Sequence, residues 1–79
     1  MIREFNSLEN SDPYVWHRDL EDRTIEVLFS DGEWYFQEDN HLPVLLFPMC
    51  TIDIKKMVFH RLIPGSGKLK LKITKHLNK

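Results

Sequence analysis

The stretch RTIEVLFSDGEWYFQED, residues 23–39, constrains the fold of this chain more than any other. Two short runs rich in β-branched and aromatic residues flank Asp31-Gly32. An Asp-Gly pair between such runs signals a two-residue hairpin of the type that needs positive φ at both central residues. Closing that hairpin sets Phe29 opposite Trp34 and Val27 opposite Phe36. One face then carries Ile25, Val27, Phe29, Trp34 and Phe36 and belongs in the core. The other carries Glu26, Leu28, Tyr35 and Gln37.

The C-terminal third gives a second strand signal. Residues 68–74 alternate lysine (68, 70, 72) with apolar side chains (69, 71, 73), the period of a half-buried strand. The preceding PGSGK resembles a phosphate-binding loop only superficially. The glycine required five residues before the Gly-Lys pair is Leu62, and Lys68 is followed by Leu69 rather than Ser or Thr. A four-residue hairpin loop, 64–67, is the better reading. It sets Leu62 opposite Leu69, Arg61 opposite Lys70 and Phe59 opposite Lys72. Val58, His60, Leu62, Leu69, Leu71 and Ile73 become the inner face. Phe59, Arg61, Lys68, Lys70 and Lys72 become a basic outer face.

Elsewhere the signals are shorter. Ile2, Phe5 and Leu8, three apart, allow one helical turn. Asn10 to Pro13 reads as a turn. The run HLPVLLFP, bracketed by Pro43 and Pro48, reads as a buried or edge strand. TIDIKKMVFHRLI forms no single apolar stripe on a helical wheel, so strand is favoured there. The expected fold is mostly β, a small antiparallel sheet or partly open barrel of about five strands with at most one short helix. An α+β arrangement is the alternative. The 79 residues are expected to form a single domain, 1–79.

Composition excludes several functions. One cysteine, Cys50, cannot form an intrachain disulfide, and no signal-peptide run opens the chain. The longest apolar stretch is far short of a membrane helix. These features point to a cytoplasmic protein with no membrane association. The four histidines show no ligand spacing along a helix, and Cys50 has no Cys-x-x-Cys partner, so no metal site, cofactor or catalytic residue is expected from local motifs. The chain is read as a non-enzyme.

Charge is divided between the halves. Residues 1–42 hold eleven acids and three bases, and residues 43–79 hold one acid and eight bases, for a net charge of −1. Such a split either neutralises itself in the fold, directs each half to a partner, or drives self-association of acidic with basic halves. Two candidate surfaces follow. Trp16, Asp19, Glu21, Asp22, Glu26 and Tyr35 form an acidic, aromatic-bearing surface suited to a basic protein partner. Phe59, Arg61, Lys68, Lys70 and Lys72 form the basic hairpin face, which protects a sheet edge or binds anions. The favoured expectation is a small non-catalytic protein-binding module, an inhibitor or adaptor that occupies a partner's surface. Nucleic-acid binding through the basic hairpin is the alternative.

Overall fold

The computed structural model describes residues 1–7 and 12–76. They form β1 (Ile2–Asn6), a 3₁₀ turn (Asp12–Tyr14), β2 (Asp22–Ser30), β3 (Tyr35–Glu38), β4 (Val44–Leu45), β5 (Thr51–Ile54), β6 (His60–Ile63) and β7 (Lys68–His76). The fold is mostly β, as the sequence indicates. The strands make two open antiparallel sheets, one of order β1-β7-β2-β5 and one of order β4-β3-β6.

The core lies between the sheets. Phe5, Ile25, Val27, Ile54, Leu69, Leu71 and Ile73 come from the four-stranded sheet, and Phe36 and Leu62 from the three-stranded one. Trp34 and Leu46, on connecting segments, complete it. Fully burying such a side chain contributes about 1.5–3 kcal/mol. A chain this short has few of them to lose. The period-2 pattern of residues 68–74 is realised: Leu69, Leu71 and Ile73 are buried, Lys68 and Lys72 are exposed, and Lys70 is half-buried.

The pairing partners differ from those the loop lengths suggest. Asp31-Gly32 does not close a hairpin between β2 and β3. The chain crosses there from one sheet to the other, and β2 pairs instead with β5 and β7. The reason is conformational. Gly32 has φ of 79°, but Asp31 does not share the positive φ that the two-residue hairpin demands at both positions. The 64–67 loop is likewise a crossover, from β6 to β7, rather than a hairpin. The two crossovers lie against each other: a Cβ placed on Gly32 would come within 2.7 Å of the Ser66 backbone nitrogen.

Three further expectations change with this topology. Phe29 is half exposed instead of buried, because a β-bulge between Val27 and Phe29 shifts the register and reverses which side faces inward. The lysines of β7 protect no edge, since β7 lies between β1 and β2. Residues 2–6 form an edge strand rather than a helical turn, with Phe5 opposite Leu69. Leu8 and the Asn10-Ser11 part of the expected turn lie outside the described residues. The HLPVLLFP run does give an edge strand, though one of only two residues, β4.

The bulge has a measurable consequence. Beyond it Ser30 pairs with the buried Leu69, and its Oγ is buried without a hydrogen-bond partner. An orphaned hydroxyl costs about 1–3 kcal/mol. Ser30→Ala is therefore expected to leave stability unchanged or raise it by up to about 1 kcal/mol, read as the urea midpoint. A clear loss of stability would show that the hydroxyl is satisfied.

Candidate functional site

One segment outside the named strands organises the functional features. His17 forms an isolated antiparallel bridge with His60, on the side of β6 away from β3. The two backbones exchange both bonds, at 3.0 and 2.8 Å. The Met57 N–H adds a bond to the Asp19 carbonyl at 2.8 Å. The segment 16–19 is thereby laid along β6 as a partial fourth strand. Alternation then sorts its side chains: His17 and His60 turn inward, while Trp16, Arg18, Phe59 and Arg61 turn outward.

The inward side is a polar island at the edge of the core. The His17 and His60 rings meet at 4.4 Å, edge to face, and Phe36 lies 5.6 Å from His60. Asp19 and His60 are both buried, and His60 Nε2 is 3.2 Å from Asp19 Oδ2. The other carboxylate oxygen, Oδ1, lies 3.5 Å from Arg23. His60 Nδ1 is 2.9 Å from the Val58 carbonyl and His17 Nδ1 is 2.8 Å from the Val15 carbonyl. A carbonyl only accepts, so each ring carries a proton on Nδ1 and donates it there. Burial pushes the His60 pKa below its ordinary 6.5, and neighbouring His17 adds to that, against the opposing pull of the Val58 carbonyl and Asp19. A cavity of about 60 Å³ opens beside the island, lined by Arg3, His17, Asp19, Arg23 and His60 together with core side chains.

The outward side is aromatic and cationic. The Arg61 guanidinium sits over the Trp16 ring at 4.8 Å, and Arg18 over Phe59 at 5.2 Å. Arg61 also donates through Nε and Nη2 to Gln37 Oε1, at 3.0 and 2.9 Å, its cross-strand neighbour. Tyr35 lies further along the same face, opposite Ile63 and Leu45. Its hydroxyl donates to Glu33, a bond that raises the phenol pKa above the ordinary 10. Trp16, Leu45, Phe47 and Phe59 are each 42–56% exposed, a density of bare apolar surface.

The structure redistributes the residues singled out from the sequence. Of the acidic surface, Asp19 is buried in the polar island. Glu21 accepts from Arg23 at 2.8 Å and lies 3.9 Å from Lys75. Asp22 accepts the Lys56 N–H at 2.8 Å. Glu26 is exposed on the four-stranded sheet, opposite Lys72, whereas Trp16 and Tyr35 belong to the three-stranded one. The basic hairpin face is also divided. Phe59 and Arg61 flank Trp16, while Lys68, Lys70 and Lys72 stand on the four-stranded sheet. There Lys70 faces Glu4 and Phe29, so the Arg61–Lys70 repulsion expected from the hairpin does not arise. The opposite charges of the two halves meet within this sheet, at Glu4–Lys70 and Glu26–Lys72.

Sequence reasoning missed Arg18 and the gathering of His17 with Asp19 and His60. No short-range spacing announces the latter, because a bridge between distant segments creates it. No family model, curated protein or solved structure matches this chain. No helix among the described residues is long and apolar enough to cross a membrane.

Proposed function

We propose that the protein is a non-catalytic binding module whose outer three-stranded face, with the flanking segment 16–18, occupies the surface of a partner protein. The observation that carries this reading is the cluster of Trp16, Arg61, Phe59, Arg18 and Tyr35 on one face. Trp, Tyr and Arg are the residue types that dominate binding energy in protein interfaces. The arginines are stacked on aromatic rings, which fixes them before a partner arrives. The exposed apolar β4 segment extends the same face through Leu45. The chemistry fits a partner that sets carboxylates around an apolar patch. This differs from the basic partner inferred from the acidic residues, whose carboxylates are largely engaged within the fold.

Site-specific photo-crosslinking tests the proposal. A photoreactive side chain at position 59 is expected to trap one defined protein in lysate of the source organism. The same group at position 70, on the other sheet, is expected to trap none at that yield. Equal capture from both positions, or nuclease-sensitive capture centred on position 70, would contradict it.

A further inference from the structure

We propose that His17, Asp19 and His60 form a binding site for one divalent metal ion of the zinc class, His17 and His60 coordinating through Nε2 and Asp19 through Oδ2. The site does not depend on the protein-binding reading, and its test uses no partner.

Three observations converge on it. The three residues offer one ligand atom each, all within 4.8 Å of one another. Zinc–ligand bonds of about 2.0–2.2 Å at tetrahedral angles put ligand atoms roughly 3.2–3.6 Å apart. The His60–Asp19 separation of 3.2 Å is already such an edge, and approach of the His17 ligand atom from within 4.8 Å completes the set.

The second observation is an unmet electrostatic demand. Asp19 Oδ2 is buried and accepts no hydrogen bond. The side chains of Asp19 and His60 are only 9% and 5% exposed. His60 Nε2 faces Oδ2, and in the neutral ring the one proton is on Nδ1, donated to the Val58 carbonyl. In that state two lone-pair-bearing atoms confront each other in a buried place, an arrangement that is unfavourable unless a positive centre, a proton or a metal ion, lies between them. Arg23 does not fill that role. It approaches Oδ1, and its Nε and Nη2 are committed to Glu21.

The third observation is the outer shell. Metal-bound histidines almost always give their other ring N–H to a carbonyl or carboxylate, which fixes the tautomer and aims the free nitrogen. Both histidines here do so, through the Val15 and Val58 carbonyls. Three protein ligands leave a fourth position for solvent, and the adjoining cavity supplies the room. A bound ion would fasten the 16–19 segment to β6, and with it Trp16 and Arg18.

The chelator-stripped protein should bind one equivalent of Zn²⁺ in a calorimetric titration. At free zinc a hundredfold above Kd, its melting temperature is expected to rise by about 10–20 °C, and a chelator should reverse the rise. In ¹⁵N spectra of the imidazole rings, Nε2 of His17 and His60 should shift on zinc addition while both Nδ1 keep their protons. Half-buried His17 is the safest ligand to alter. His17→Gln should fold as the stripped protein does and lose more than about a hundredfold in zinc affinity, beyond the loss from removing an outer-shell partner. Asp19→Asn should do likewise. Absence of one-equivalent binding, or full zinc affinity in both variants, would overturn the assignment. Should either variant fail to fold, the wild-type ring spectra decide: zinc shifts confined to His41 and His76 would refute the site.

Discussion

Replacing Trp34 with alanine is expected to destabilise the protein by about 3–5 kcal/mol, the range for deleting a large buried aromatic. Trp34 is fully buried at the crossing from β2 to β3. Its indole N–H donates to the Asp31 carbonyl at 3.1 Å, which ties down the crossing itself. Its own carbonyl accepts the Leu46 N–H at 2.9 Å, and the Tyr14 ring lies 5.9 Å away. Domains of this size have about 0.05–0.15 kcal/mol of stability per residue. Over 79 residues that is about 4–12 kcal/mol, so the loss removes a large share of the total and Trp34→Ala should unfold at a much lower urea midpoint by circular dichroism. Trp34→Phe fills most of the space and should retain a cooperative transition. An alanine variant with a near-normal urea midpoint would place Trp34 outside the core.

Gly32→Val is expected to cost about 2–5 kcal/mol, from two separable sources. A side chain in the left-handed region costs about 1–2 kcal/mol, more when β-branched. Gly32 has φ of 79°. Its Cβ would also meet Ser66 and the Gly67 nitrogen at 3.0 Å or less, and such overpacking costs about 1–3 kcal/mol. The second source distinguishes the crossover from a simple hairpin, in which residue 66 would be remote. Gly65 makes a second contact between the two turns, since a Cβ there would lie 2.7 Å from the Glu33 carbonyl and the Trp34 ring. Gly32→Ala and Gly65→Ala should therefore be non-additive in a double-mutant cycle by more than about 0.5 kcal/mol. Strict additivity would mean that the two turns do not touch.

These residues also show what the sequence could reveal. Period-2 patterning assigned the inward side of β7 and of His60 and Leu62, because burial of one sheet face leaves a local signature. Pairing left no such signature. The Asp31-Gly32 and 64–67 connections are as short as hairpin loops, yet both change sheets. Asp31 lacks the positive φ that a two-residue hairpin needs at its first position, and composition does not record it. The bulge before Phe29 is equally silent, and it turns an apolar side chain outward. Trp16 and Tyr35 were identifiable as surface aromatics and Arg61 as a surface cation. Their meeting on one face depends on the His17–His60 bridge, a long-range contact between a short loop segment and β6. The same bridge assembles the buried histidine–aspartate cluster, which explains why neither feature could be read from spacing.

The central claim is that the aromatic–arginine face of the three-stranded sheet is where this protein meets its partner. Its most direct test is the affinity of the crosslinked partner, once purified, for three forms of the folded protein. Trp16→Ala should weaken binding by about 30-fold or more, the effect of removing an interface residue worth about 2 kcal/mol. The triple variant Lys68→Gln, Lys70→Gln and Lys72→Gln should bind within about twofold of wild type, since its changes lie on the other sheet. Unchanged affinity in Trp16→Ala together with a large loss in the lysine variant would contradict the account and move the binding surface to β7.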